Sequence, residues 1–383
     1  MCIRDSASAG WAPESGRGGF WGRVAAIVMR RPVISLIAAA GLLIALAIPT
    51  FDLETGDSGV STLPASAQTA DGFAILQEEF AGGLATPTEI VVDGDSESEA
   101  VKSAIDELQT ELPEQFGPAV VKTSDEGGLT VISAPVQGDV VEGPAIDAVR
   151  ELRDDVIPAV FADTDTEVLV TGQTAVSLDF RELTNTYWPL VIGFVLALSF
   201  ILLTVAFRSI VIPITSIIVN LLAVGAAYGL LVLIFQKGWA NELLGFQQTD
   251  TIEPFIPLLL FTVLFGLSMD YQVFLLSRIR ERYQETGDNE DAVWFGVATT
   301  GRIITGAALI MVAVFAGFAT GRLVPLQQMG FGLAVAILID ATIVRAVVVP
   351  ATMRLLGDRN WYLPRFLSWL PKITIEDRGA EAP

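Results

Sequence analysis

The sequence predicts an α-helical membrane protein of six transmembrane helices, with one α+β domain inserted between the first helix and the second. Three observations predict it. Of the 383 residues, 52% are hydrophobic, more than an ordinary soluble chain carries. Six apolar runs each approach or exceed the ~20 residues that a helix needs to cross a bilayer. The one long polar stretch, residues 52–184, shows strand and helix periodicities of its own.

The elements follow in chain order. Residues 1–24, opening with "MCIRDSASAGWAPESGRGGF", lack the charged start, apolar run and small-residue cleavage site of a signal peptide. They are expected to be a disordered or non-native terminus. Residues 25–51 carry the first span, Val33–Phe51. The domain of residues 52–184 comes next, and residues 185–352 hold five more spans: Trp188–Phe207, Ile210–Phe235, Pro254–Leu276, Val293–Ala319 and Leu326–Val349. Only Arg208 and Ser209 separate the second span from the third, so these two form a tight hairpin. Residues 353–383 form a tail.

Basic residues orient the bundle. Arg17, Arg23, Arg30 and Arg31 precede the first span; Arg208, Arg278, Arg280 and Arg282 fill the loops that share its side; Arg354, Arg359, Arg365 and Lys372 follow the last. The short loops of the other side hold only Lys237 and Arg322. The positive-inside rule makes both termini cytoplasmic and residues 52–184 extracytoplasmic.

Within that domain "TEIVVDG" (88–94) reads as a strand and "SEAVKSAIDELQTEL" (98–112) as an amphipathic helix, with Val101, Ile105, Leu108 and Leu112 on one face. "PAVVKT" and "GLTVISAPV" are two further strands. "GPAIDAVRELRDDVI" (143–157) is a second helix, with Pro144 suited to its first turn. "TEVLVTG" (166–172) is a last strand. The order β-α-β-β-α-β is that of a ferredoxin-like domain. Ahead of it, 56–83 reads as a loop followed by a helix around "TADGFAILQEEF". The domain carries 28 Asp/Glu against 5 Lys/Arg. Its acidity is either a solvated surface or a funnel that attracts cations.

Composition also excludes functions. The formal charge is −21, which repels nucleic acid. The chain has no histidine, and so offers no histidine metal ligand, Ser-His pair or histidine proton relay. Cys2 is its single cysteine, so no disulfide closes within it. No metal-ligand spacing, phosphate-binding glycine loop or nucleophile elbow is present. Neither an enzymatic activity nor a cofactor is expected.

Chemistry is expected where charge enters the membrane. Asp270 lies about six residues, roughly 10 Å, from the cytoplasmic end of the fourth span. Arg302 on the fifth span and Asp340 on the sixth lie at similar depth, and Arg345 is nearer the exit. Ionisable residues inside spans are functional by default. A carboxylate that switches between neutral and charged couples proton movement to conformational change, and Tyr271 would assist by hydrogen bonding or by lining the water path. The alternative is a static network in which Asp270 and Asp340 balance Arg302 and Arg345; for Asp340 and Arg302 structural pairing is the favoured reading. Thr262, Gly266, Asp270 and Phe274 share one helical face, and Thr299, Arg302, Thr305 and Gly306 form a polar stripe on the fifth span. These faces are expected to meet inside the bundle, with Gly266 leaving room for a neighbouring helix. Gly225 and Gly229 are a small-xxx-small pair suited to close helix packing.

Several long motifs occurring in order, "LPASAQTADGFAILQEEFAGG", "FGLSMDYQVFLLSRIRERY", "TTGRIITGAALIMVAVF" and "QQMGFGLAVAILIDATIVRAVVVPATMRLLGDRNWYLP", resemble the MmpL-type transporters of the resistance–nodulation–division (RND) superfamily. The likeness runs from about residue 25 to 365, and its wording resembles the C-terminal half of such proteins. One span, an outside domain and five spans make an RND half-unit. The resemblance implies export of lipids or other hydrophobic molecules from a bacterial inner membrane, driven by proton entry, with Asp270 and Tyr271 as the proton relay and the domain as a ferredoxin-like porter module. Implied partners are membrane lipids, a hydrophobic substrate, protons and a second transporter half, with a homo-oligomer as a further option. Family members carry two halves in one chain. This single half is therefore expected to be a fragment or to pair with another half. The competing function is a non-transporting module that binds or senses lipid or assists protein export; it needs no titrating carboxylate inside the membrane.

Overall fold

The computed structural model describes residues 19–57, 59, 68, 69, 71, 72, 75, 86–124, 128–137, 139–141 and 143–370. Residues 1–18 and most of the helix expected around "TADGFAILQEEF" lie outside the described residues. Among the described residues six helices are long and apolar enough to cross a membrane: Pro32–Asp52, Gln173–Phe207, Val211–Gln236, Phe255–Thr286, Asn289–Ala319 and Val324–Trp361. They match the six expected spans in order.

The spans begin and end where local chemistry favours it. Pro32 and Pro325 stand in the first turns of the first and sixth spans, where a missing N–H does no harm. The fifth starts at Asp288, whose carboxylate accepts from the backbone N–H groups of Glu290 and Asp291. The fourth stops at Gly287, whose φ of 67° suits a residue without Cβ. Arg208 closes the second in the same left-handed region, at φ 48°, which is strained for an arginine. Its guanidinium is held by the carbonyls of Ser368 and Leu370. Beside it, Ser209 donates to the Asn360 carbonyl and accepts from the N–H groups of Val211 and Ile212. The tight hairpin is thus tied to the stretch after the sixth span.

The third and sixth spans form the centre, with 61% and 72% of their apolar windows buried, against 11%, 22% and 17% for the first, second and fifth. Gly225 and Gly229 face the first span. A Cβ on Gly229 would overlap the Leu46 carbonyl oxygen, and Thr50 Oγ1 donates to the Gly225 carbonyl at 2.8 Å.

Four antiparallel strands, β1 (Thr88–Asp93), β2 (Val120–Thr123), β3 (Leu129–Ala134) and β4 (Glu167–Thr171), make one sheet in the order β2-β3-β1-β4. Ile90 faces Ile132 on one side and Val170 on the other. The helices Glu99–Glu111 and Gly143–Glu151 connect β1 to β2 and β3 to β4. Val101, Ile105 and Leu108 from the first, Ile146 and Val149 from the second and Leu152 just after it share a single core with Ile90, Val92 and Ile132. Both helices therefore cover one face of the sheet. Strand β2 is exposed at all four positions, as an edge strand carrying Lys122 can be.

Three boundaries differ from the sequence reading. A helix, Phe20–Arg30, occupies part of the stretch expected to be disordered; it buries Gly22, Ala25, Val28 and Met29 against the bundle. The second span begins at Gln173 rather than near 185, because the polar turns before it carry an apolar face: Ala175 and Leu178 complete the sheet-domain core. The sixth helix runs through Leu356, and Met353 and Asn360 are buried, so the start of the tail belongs to the bundle.

Candidate functional site

Between Asp340 and Val348 the sixth helix widens into π-helical turns. In an α-helix, residues five apart diverge by about 140°. The i→i+5 pattern returns them to one face. Arg345 therefore reaches back to Asp340, its Nε and Nη2 donating to Oδ2 at 3.0 and 2.7 Å. Both side chains are buried, at 5% and 4% exposure. Such a pair must be well bonded, since the desolvation of two charges opposes it. Nη2 also donates to the Ser268 carbonyl at 2.6 Å, and Ser268 Oγ lies 2.9 Å from Asp340 Oδ1.

Ser268 Oγ is also 2.9 Å from the amide of Asn220, a buried residue of the third span. The hydroxyl has one proton to give, to Asn220 Oδ1 or to Asp340 Oδ1, and Asn220 Nδ2 has no partner among the described residues. One helical turn along the fourth span, Gln272 donates to Ser216 of the third. The third, fourth and sixth spans are thus joined by one polar seam.

Tyr271 belongs to this seam. The Arg345 guanidinium lies over its ring, 4.9 Å from the centroid, and its hydroxyl points to Met311 Sδ on the fifth span at 3.5 Å. Asp270 does not belong. Residues two apart on a helix diverge by about 200°, so burying Ser268 turns Asp270 to the opposite side. Asp270, Gly266 and Phe274 form an exposed stripe, and nothing lies within 4 Å of a Cβ built on Gly266. The expectation that this face meets another inside the bundle is corrected: it is open.

Arg302 and Thr299 are corrected likewise. Arg302 is exposed and has no ion pair among the described residues; Arg345 fills the position beside Asp340 that the static network gave it. Thr299 is exposed and bonds the carbonyls of Phe295 and Gly296 in its own helix. Of the expected site residues, the structure brings together Tyr271, Asp340 and Arg345. It adds Asn220, Ser268, Ser216 and Gln272. Asn220 carries a signal in the sequence, a lone amide amid "IIVNLLAV". The serines do not stand out, because hydroxyls satisfy themselves within helices throughout this chain. Among the described residues no group of three His, Cys, Asp or Glu side chains could hold a metal ion.

A family model described as the MMPL family matches residues 61–372. The chain is 38% identical over 372 residues to the mycolic acid-containing lipids exporter MmpL11 of Mycolicibacterium smegmatis, covering 95% of this chain and 38% of that protein. It is 37% identical to the heme uptake protein MmpL11 of Mycobacterium tuberculosis H37Rv, with the same coverage. To the trehalose monomycolate exporter MmpL3 of Mycobacterium tuberculosis it is 30% identical, covering 92% of this chain and 38% of the relative. The chain spans less than half the length of these proteins.

Proposed function

The chain belongs to the MMPL family, and from that premise we propose that it is one half of a transporter that exports lipids or other hydrophobic molecules in exchange for protons. The observation that carries this reading is a pair of unlike carboxylates on facing spans. Asp340 is buried, bonded and matched by Arg345, while Asp270 has no ion pair among the described residues and stands on an open face beside Tyr271. A carboxylate facing hydrocarbon is costly, so the open face is one that the membrane lipids do not cover in the working protein. In the working protein it meets the second half, and Gly266 provides the clearance. The relatives' greater length supports a second half of about this size.

In this reading Asp270 accepts a proton from the extracytoplasmic water and releases it towards the cytoplasm. Tyr271, in contact with Arg345 and next in sequence to Asp270, carries the change of charge into the polar seam. Arg345 is a fixed cation and cannot itself hand on a proton. Asp340, Ser268 and Asn220 hold it in place, so that a change at Asp270 moves helices rather than one side chain.

The sheet domain supports the reading of residues 52–184 as an extracytoplasmic porter module. Its order β-α-β-β-α-β, with sheet order β2-β3-β1-β4, is ferredoxin-like, and one span, a domain and five spans make an RND half-unit. Residues 25–51 and 185–352 then form the membrane part of a multi-pass inner-membrane protein with cytoplasmic termini. Lipid export is preferred to heme transport because this chain offers heme iron no histidine ligand.

The test uses a complete two-half protein in vesicles, with lipid efflux and proton flux measured together. Asp270→Asn keeps the size and some hydrogen bonds but cannot titrate; it abolishes coupled export while insertion and thermal stability persist. Tyr271→Phe weakens export by as much or less. Normal export by Asp270→Asn would falsify the relay assignment.

A further inference from the structure

Beside the polar seam lies a small cavity, walled by the fourth, fifth and sixth spans and by Trp21 of the N-terminal helix. Arg345 is the one charged residue in its lining. Its Nε and Nη2 are spent on Asp340 and Ser268, but Nη1, equally buried, has no partner among the described residues. A buried guanidinium N–H without an acceptor is expensive, and a polar pocket of adequate size is where water removes that expense. The cavity has room for about one water molecule. Its other polar walls are Thr300 and Thr305. Each hydroxyl already donates to a carbonyl of its own helix, Gly296 and Gly301 respectively, which leaves oxygen lone pairs to accept from a water.

The closure is built, not incidental. Trp21 is half-buried, and a Cβ on Gly301 would stand 2.6 Å from its Cγ, so the absence of a side chain at 301 is what seats the indole. Trp294 Nε1 donates to the Gly22 carbonyl at 3.1 Å and fixes the turn that carries Trp21. The rest of the helix is amphipathic, with Arg23, Arg30 and Arg31 exposed, and is held by Ala25, Val28 and Met29 rather than by the lid itself. The lid end therefore lifts without loss of the anchor.

We propose that this cavity is a hydration site for Arg345, and that Trp21 is the lid that separates it from the water at the basic end of the bundle. With Trp21 seated, the site holds a single water. Lid open, it joins bulk solvent, and Arg345 faces small polar or anionic solutes. The inference depends on the proposed function only for the use made of the water; the site itself stands on geometry.

The test is cysteine accessibility in the chain reconstituted in lipid nanodiscs. Cys2 is replaced by Ser and Thr305→Cys is placed in the cavity wall, then treated with small charged methanethiosulfonates. With Trp21 present the thiol reacts slowly, since reactivity follows exposure. Trp21→Ala opens the lid by deletion, and Gly301→Ala by displacement. Each is expected to raise the rate at least about tenfold, while Trp21→Phe stays within about twofold of the parent. With the lid open, the anionic reagent should react about threefold or more faster than the cationic one, because Arg345 faces the site. Equal rates in all lid variants overturn the lid. A cationic preference overturns the placement of Arg345. An equal rise at Ala227→Cys, buried elsewhere in the bundle, shows general loosening and also overturns it. Labelling requires no transport, so normal export by Asp270→Asn would leave this result untouched.

Discussion

Asp340 and Arg345 show how a buried charge pair is judged at the level of single residues. Arg345→Ala leaves a carboxylate buried and unpaired, and is expected to lose about 3–5 kcal/mol in a detergent unfolding assay. Asp340→Asn strands the guanidinium and is expected to lose a similar amount. The double variant Asp340→Leu with Arg345→Met removes both charges at similar volume, and should recover most of that loss. If it also transports, the pair is only a strut; the proposed coupling requires a stable but inactive double variant. The sequence pointed to Asp270, Tyr271, Asp340 and Arg345 because ionisable and phenolic groups are rare in apolar runs. It favoured structural pairing for Asp340 and Arg302, which lie at one depth, and set Arg345 nearer the exit; an α-helix turns residues five apart away from each other. No residue type announces a π turn, so the partner on the same helix was not legible. The seam of Ser268 and Gln272 was hidden for a related reason. Their face competes with that of Asp270, and only the packing of the third and sixth spans decides which is buried.

At the level of elements, periodicity carried most of the information. Val101, Ile105 and Leu108 recur at helical spacing, Ile90 and Val92 at strand spacing, and all five are buried in one core. Ile105→Asp puts a carboxylate into that core and is expected to unfold the sheet domain, a loss of several kcal/mol visible as protease sensitivity between residues 86 and 172. The first and third spans depend instead on a missing side chain. Gly229→Leu cannot be relieved by a rotamer change, because the obstacle is the Leu46 backbone carbonyl. The expected outcome is separation of the two spans, read as a lost disulfide between cysteines introduced at Ala47 and Gly225, whose neighbours touch in the parent. Periodicity was silent about the helix Phe20–Arg30, where a glycine-rich lead-in masks the start. It also gave no sign that the second span starts inside the domain, where polar residues follow the same helical period.

For the whole molecule, the charge asymmetry makes a prediction about sides. In a Cys2→Ser background, Ser103→Cys in the sheet domain should label with an impermeant reagent from outside intact cells. Thr286→Cys, between the fourth and fifth spans, should label only after the membrane is opened. The opposite pattern inverts the topology and with it the direction proposed for the proton. In the proposed transporter the open stripe of Gly266, Asp270 and Phe274 is the side that meets the second half, so this half alone should leak or stall rather than pump. The second span has a mechanical consequence. A single helix of 35 residues, Gln173–Phe207, runs without a loop from the sheet-domain core to the hairpin at Arg208. Its one interior proline, Pro189, stands near the middle, where the carbonyl of Asn185, four residues earlier, loses its N–H partner and bending is easiest. About 24 Å of helix lies between Pro189 and the domain end. A bend of 5° there would swing the domain end by roughly 2 Å, a lever arm with its fulcrum in the outer part of the span. In the proposed transporter, helix movement in the bundle that bends the span at Pro189 swings the sheet domain directly, since no loop lies between them.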